Sequence, residues 1–439
     1  MLDLRFVREN PERVKEGAAR KRIDAAALVD RLLALDAEHR SLLQRSEGIR
    51  AGQKRAGREI ASAKDEGLRG RLLAEQARAK QEGKELEARL GVLEEEIREA
   101  LLRIPQPPAP EVPDGGGEAE NVEVRRVGEP PRFDFPARDH VALGEALGGV
   151  DLERGARLAG SRNYLLLGPV ARLEEAVFRF AYDRMLAKGF VPVAVPVLVN
   201  DAAMVGTGYY PGGEAQAYRV ASDSLSLVGT AEVPLTAIHA GEILEEEELP
   251  KRWIAQSPCF RREAGAAGRE TRGLYRVHQF RKIEQVVVCA ADPAESERWH
   301  RAILENAEEI LRALELPYRV VAVCAGDLGA GQVSKFDVET WMPSRGGYGE
   351  THSASRFHDF QARRLNLRYR GGDGKVRFVH TLNNTVVASP RILIALLENH
   401  QRADGSIHVP APLRAAMGGL ELLEPLRAPA RGGAAAPAT

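Results

Sequence analysis

Phe260–Glu284 reads FRREAGAAGRETRGLYRVHQFRKIE, and its pattern decides the fold of the larger part of the chain. Apolar residues flank both ends, CF before and QVVVC after. The reading that follows is two strands joined by a long loop rich in glycine and arginine. Such a hairpin offers Arg261 to a phosphate, Glu263 to the amino group of a base and Phe280 to a purine face. Any one of these residues alone fits an ordinary surface hairpin with a charged loop. Together with a second segment downstream, they argue for a nucleotide site.

That second segment is His380–Gln401, HTLNNTVVASPRILIALLENHQ. An apolar helix is expected over roughly 392–397, with Pro390 where a helix start tolerates proline. Arg391 then falls in the first turn, where the helix dipole disfavours a cation. An arginine placed against the dipole is explained by an anion that it must meet, and an ATP phosphate would serve. An exposed arginine at modest cost is the plainer alternative.

The two segments resemble motifs 2 and 3 of class II aminoacyl-tRNA synthetases. Gly189–Pro196, GFVPVAVP, resembles motif 1, which in that class ends in proline and builds a dimer interface. Within the class the resemblance is to seryl-tRNA synthetases and covers nearly the whole chain. It rests on GTAE at Gly229–Glu232, FRREAG at Phe260–Gly265, RGLYRVHQF at Arg272–Phe280, ETHSAS at Glu350–Ser355, DFQARR at Asp359–Arg364 and TLNNT at Thr381–Thr385. A lone TAE or FRxE carries little weight. The set, in the family's order, carries much.

The resemblance implies an α+β protein. It has a long N-terminal antiparallel helical arm and a class II catalytic domain built on an antiparallel sheet with helices. It also implies activation of L-serine by ATP to seryl-adenylate, then transfer to the 3′ end of tRNA(Ser), and of tRNA(Sec) where an organism has one. Arg261 is expected at the α-phosphate and serine carboxylate, and Arg391 at the γ-phosphate. Arg262, Glu263, Val277, Phe280, Thr351 and His352 complete the ATP site, with Glu263 on the adenine amino group and Phe280 on the ring. Glu350 and Ser353 are expected to hold Mg²⁺, as oxygen ligands three apart. For serine, Glu232 and Glu284 supply carboxylates, while Thr230, Ala231, Asn383 and Thr385 complete the contacts with Arg261. A buried carboxylate left unpaired by alanine would penalise that competitor heavily. Threonine has to be refused by shape, and no segment remains for an editing domain. Many family members carry a glycine-serine pair where this chain has Asn384-Thr385, so the serine contact falls to Thr385. Arg262 replaces a residue that is often small. No Ser-His-Asp logic appears in these motifs, and neither His278 nor His352 is expected to act as a general base, since positioning and charge stabilisation suffice.

Outward from these motifs, residues 1–105 are nearly free of aromatics and rich in Ala, Leu, Glu, Arg and Lys. Leu28, Leu32, Leu35, His39, Leu42, Ser46 and Ile49 step by four and three, as do Leu86, Leu90, Leu93 and Ile97. That is heptad spacing, expected of helices hiding one seam. Lys64–Gly70, KDEGLRG, reads as the turn between two arms of about 35–40 residues, each on the order of 55 Å long. Gly48, Gly52 and Gly57 interrupt the first arm, with close packing of the arms as one explanation. The distal part is basic, with Arg45, Arg50, Lys54, Arg55, Arg58, Arg71 and Arg78 outnumbering nearby acids. A cationic tip on a rigid arm suits an RNA backbone, although solvated coiled-coil flanks also mix charges. Without interleaved aromatics, base stacking is not expected. Arg269 and Arg272, in the Gly265–Gly273 loop, join the residues expected to meet tRNA, and that loop is expected to move between ATP-bound and tRNA-bound states.

Residues 106–131 follow as a linker that begins in PQPPAPEVPDGGG, and 132–425 form the catalytic domain. Strands are expected near 191–199, 254–260, 277–289, 318–323, 336–341 and 376–382. Residues 426–439 are a low-complexity tail, expected to be disordered. The 439 residues carry 62 Lys plus Arg against 63 Asp plus Glu, so net charge by itself says nothing of nucleic acid. Cys259, Cys289 and Cys324 are far apart, which argues against a disulfide framework and against zinc. No apolar run approaches the roughly 20 residues of a membrane span, and MLDLRFVREN lacks a secretory h-region. A cytoplasmic homodimer with no membrane partner is the expectation. Two other readings stand beside it: a synthetase-like ligase charging a carrier protein, opposed by the basic arm, and a non-catalytic RNA-binding paralogue, opposed by intact Arg261, Glu263, Phe280, Glu350 and Arg391.

Overall fold

The computed structural model describes residues 1–265 and 273–426, and the chain divides into two compact units, 1–107 and 108–439. In the first unit, α1 (Leu4–Glu9) and α2 (Pro11–Arg20) precede two long helices, α3 (Ala26–Ser62) and α4 (Glu66–Arg103), of 37 and 38 residues. Ion pairs Arg31–Glu96, Glu38–Arg89 and Arg45–Glu82 run in opposite order along the two helices, so the hairpin is antiparallel. Leu32, Leu35, Leu90, Leu93 and Ile97 are buried at the seam. Each such side chain contributes about 1.5–3 kcal/mol on full burial.

The turn is tighter than KDEGLRG suggested. Only Ala63–Asp65 leaves the helices, and Gly67 and Gly70 lie inside α4. The reason is local: the Asp65 carboxylate accepts from the Leu68 N–H at 2.6 Å, an N-cap that outweighs the poor helix propensity of the glycines.

The second unit is built on one eight-stranded sheet. Its strands are β1 (Val122–Val127), β2 (Val191–Pro192), β3 (Lys251–Phe260), β4 (Gln279–Cys289), β5 (Tyr318–Ala322), β6 (Ser334–Met342), β7 (Gly347–His358) and β8 (His380–Ser389). Their spatial order is β1-β5-β6-β7-β8-β4-β3-β2, antiparallel throughout except for β2 on β3. Helices α5 (Gly168–Ala187), α6 (Pro293–Ala313) and α7 (Arg391–Asn399) bury one face against Ile254, Ile283, Val287, Leu382 and Val386. On the other face, Trp253, Ala255, Val286 and Val288 pack with Ala231, Leu235, Ala362 and Leu365 at one end. The remainder of that face stays open around Phe280, Lys282 and Thr385.

Three expectations are corrected. Residues 122–127, read as linker, form β1, hydrogen-bonded to β5 at the sheet edge. The stretch 376–382 is not one strand: Val376–Phe378 joins a small three-stranded sheet, and β8 continues to Ser389 in the centre of the large one. All ten residues of β8 are buried, so the alternation that advertises a strand is missing. β7, GYGETHSASRFH, lacks the apolar run of a strand because it is polar where its residues face the site. In the stretch 191–199, two prolines split the backbone, and Leu198–Asn200 pairs in another sheet.

Candidate active site

β3 and β4 are the strands of the hairpin that FRREAG opens, with Phe260 opposite Gln279. Alternation along β4 puts Phe280, Lys282 and Glu284 on its open face. Thr385 on β8 stands directly opposite Glu284, and Asn383 is two residues further on. α7 begins at Arg391, which lies at the first helical position as the sequence implied. A cleft opens over these strands, lined by Arg261, Glu263, Val277, Phe280, Glu350, Thr351, Thr385 and Arg391. A second hollow, sharing Arg261, Glu263, Glu350 and Arg391, continues it past Tyr209.

The two arginines, 130 positions apart in sequence, therefore meet in one place. Arg391 Nη1 donates to the Glu350 carbonyl at 2.9 Å and to its carboxylate at 3.3 Å, and Nε donates to the Tyr275 carbonyl at 3.2 Å. Its guanidinium lies 4.2 Å from the centre of the Tyr275 ring. Arg261 Nε donates to the Gly229 carbonyl, and its guanidinium lies 5.2 Å from the Phe280 ring centre. Glu263 adopts φ +50°, a left-handed conformation unusual for a non-glycine, and pairs with Arg276 at 3.4 Å. The far end of the hairpin loop is pinned by His140. Its Nε2 accepts from the Leu274 N–H at 3.1 Å, while Nδ1 lies 2.7 Å from the Glu398 carboxylate. Gly273, at φ +87°, passes so close that a Cβ there would stand 2.5 Å from this ring.

The deep end carries the polar residues expected to bind serine. Thr230, Glu232, Glu284 and Asn383 are all buried, and Ala231 packs in the apolar cluster beneath them. Glu232 accepts from Tyr209 at 3.0 Å and from Gln361 at 2.9 Å, and Gln361 accepts in turn from Thr381 at 2.6 Å. Burial, then the Glu284 carboxylate, pushes the Glu232 carboxyl up to about 7. Tyr209 is pushed well above its usual range by burial and by Glu232. Lys282 Nζ donates to Thr230 Oγ1 at 2.7 Å and forms an ion pair with Glu284. Among the described residues the buried Asn383 amide nitrogen has no hydrogen-bond partner, an arrangement that calls for a polar ligand. Asn384 points the other way, donating to the Ile303 carbonyl of α6 at 2.6 Å, and so leaves the site to Thr385.

Some expected residues stand elsewhere. Arg262 packs on the Tyr218 ring, 5.9 Å from its centre, rather than into either hollow. His352 is 1 % exposed inside the sheet, with Nδ1 2.8 Å from Thr351 Oγ1, and burial pushes its imidazole down to about 4. It is neutral and turned away from the cleft. His278 Nδ1 lies 3.0 Å from the Arg261 carbonyl, a contact that shapes the backbone. Arg269 and Arg272 lie outside the described residues, as does most of the C-terminal tail. Sequence reasoning passed over Lys282, Tyr209, Tyr275 and Gln361. Lys282 was legible from its two-residue offset to Phe280 and Glu284, whereas nothing local marks Tyr209.

On the basic arm, Arg45 and Arg50 reach across the hairpin to Glu82 and Glu87. Among the described residues, Lys54, Arg55, Arg58, Arg71 and Arg78 make no ion pair.

A cleft in which two arginines converge, laid on an antiparallel sheet of this order, defines the class II aminoacyl-tRNA synthetases. Residues 218–400 match the tRNA synthetase class II core domain (G, H, P, S and T), and residues 1–108 match the seryl-tRNA synthetase N-terminal domain. The serine–tRNA ligase of Deinococcus radiodurans is 48 % identical over 97 % of this chain and all of its own length. That of Rubrobacter xylanophilus is 46 % identical over 94 % of this chain and 97 % of its own. The crystal structure of seryl-tRNA synthetase from Pyrococcus horikoshii complexed with ATP is similar at a TM-score of 0.93 and 39 % identity, covering 97 % of this chain and all of that one. The chain belongs to the seryl-tRNA synthetase family.

Proposed function

We propose that this chain joins L-serine to tRNA(Ser) at the expense of ATP, with the cleft between Arg261 and Arg391 as the site of adenylate formation. The observation that carries this reading is the convergence of two guanidiniums over a buried pocket with two carboxylates and an unpartnered amide. In the first step a serine carboxylate oxygen attacks the α-phosphorus and pyrophosphate leaves. Arg261 takes the growing charge on the α-phosphate and orients the serine carboxylate, while Arg391 holds the γ-phosphate. Glu263 reads the adenine amino group, Val277 offers its backbone, and Phe280 stacks on the ring. Glu232, Glu284, Thr230, Asn383 and Thr385 hold the serine ammonium and hydroxyl. In the second step the terminal ribose hydroxyl of tRNA takes the acyl group and AMP leaves.

Mg²⁺ fits the donor set. Among the described residues no three His, Cys, Asp or Glu side chains cluster to hold a metal, but Mg²⁺ usually takes one or two protein oxygens and completes its shell with phosphates and water. Glu350 and Ser353 are hard oxygen donors of that kind. Burial pushes the Glu350 carboxyl up, yet Arg391, Lys335 and Arg261 outweigh it and hold the group below its ordinary value. Bound there, the ion would neutralise phosphate charge.

The arm, residues 1–105, is the tRNA-binding domain in this reading, and its unpaired cations meet the RNA backbone. A homodimer forms along the β2 edge, where Val191 is 55 % exposed and Leu186 and Leu198 are also exposed. tRNA(Sec) is a second substrate where present, and the cytoplasm is the compartment. Serine-dependent ATP–pyrophosphate exchange followed by charging of tRNA(Ser) tests the whole. Exchange driven by another amino acid, or none at all, overturns it.

A further inference from the structure

Lys282 has no role in the division of labour above, yet it occupies the centre of the serine pocket. Its side chain is 7 % exposed, and that of Glu284 is 2 % exposed. The Lys282 ammonium donates to Thr230 Oγ1 at 2.7 Å and pairs with the Glu284 carboxylate. Thr230 Oγ1 itself donates to Glu284 at 3.3 Å, so the three groups close a triangle. A serine α-ammonium carries the same charge and the same three N–H donors, and it seeks the same two acceptors. Two ammonium groups on one buried carboxylate repel strongly. One of them has to leave.

We propose that Lys282 is a built-in occupant of the α-ammonium subsite, displaced by serine and swung on its four-carbon stem toward the α-phosphate. The geometry allows the swing, because Lys282 also lines the cleft with Arg261, Phe280 and Arg391. Lysine suits such a part, being a compact charge on a flexible stem, where arginine's rigid fork does not. Displacement moves a cation from the amino-acid pocket to the nucleotide pocket. Serine binding therefore tightens ATP binding, and by linkage ATP tightens serine to the same degree. Serine and nucleotide become coupled through one side chain.

The inference rests on the serine reading of this pocket, and wild-type serine-dependent exchange tests that reading separately. Serine affinity is measured by calorimetry at pH 8, with and without α,β-methylene-ATP, for the wild type, Lys282→Met and Lys282→Gln. Without nucleotide, both variants should bind serine more tightly than wild type, by about 5-fold or more. The factor by which the analogue tightens serine should fall to near one, and exchange should slow. A lysine that merely supported the fold would weaken serine binding and leave the coupling ratio intact. Either unchanged or weaker serine affinity, or coupling that survives the substitution, overturns the proposal while leaving the ligase reading in place. Should both variants fail to fold, a crystal structure of the wild type with serine and the same analogue decides. Lys282 Nζ bonded to an α-phosphate oxygen supports displacement, and Nζ still on Thr230 beside bound serine overturns it.

Discussion

At the level of single residues, the site holds charges whose ordinary preferences have been overridden by their neighbours. Glu232 is the clearest case. Its carboxyl is raised from 4.5 to about 7, chiefly by burial. Between those values the unfolded chain ionises this group while the folded chain keeps its proton. Stability therefore falls as pH rises through that window, and the loss persists above it. Glu232→Gln should accordingly be more stable than wild type at pH 8, on the order of a few kcal/mol, and the difference should vanish near pH 4. Urea unfolding at the two pH values measures this, and the same variant should lose serine activation. Arg391 poses the opposite problem, a cation at a helix N-terminus held by Glu350 and the Tyr275 carbonyl. Arg391→Ala is expected to slow ATP–pyrophosphate exchange by about 10²–10³-fold or more. tRNA affinity, read by filter binding, should stay within twofold, since this side chain stands in the cleft proposed for the nucleotide. Arg261, Glu263, Phe280 and Arg391 were legible because their motifs are local. Gln361 and Tyr209 were not: Gln361 reaches Glu232 from 129 residues away, and nothing near Tyr209 marks its hydroxyl as a partner of that carboxylate.

Elements bring a different set of trade-offs. The hairpin keeps glycines where a helix would rather have alanine, and close packing does not account for them: a Cβ at Gly48 or Gly52 would meet nothing within 4 Å. Gly52→Ala should then stabilise the arm by up to about 1 kcal/mol, seen as a raised midpoint of arm unfolding, with exchange unchanged. The basic face divides in two. Arg45 and Arg50 already have carboxylate partners, while among the described residues Lys54, Arg55, Arg58, Arg71 and Arg78 have none. Neutralising a residue of the second group should weaken tRNA binding. The slope of log affinity against log salt should fall by about one for each phosphate left without its cation. Arg45→Ala should do less, because Glu82 competes with the RNA for it. Heptad spacing made the two helices readable. The exact turn depended on one carboxylate capping α4, a detail that the glycines of KDEGLRG obscured.

For the whole molecule, the proposed dimer turns on the open edge of the large sheet. β2 is two residues long and ends that sheet, with Val191 half exposed. Val191→Asp puts a charge on an apolar edge, and light scattering should report a shift from two chains toward one, with loss of exchange if the partner steadies motif 2. Composition and periodicity alone determined the helical arm and the mixed sheet-and-helix character of the rest, because heptads and strand runs are local patterns, while the residues expected to meet a nucleotide rest on motif chemistry and the family resemblance. Only the tertiary structure decided that β8 runs through the middle of the sheet, that β1 belongs to it, and that Lys282 stands on Thr230 and Glu284. Those facts depend on which segments lie side by side, and contacts between segments that meet only in the folded chain leave no periodic trace in either one.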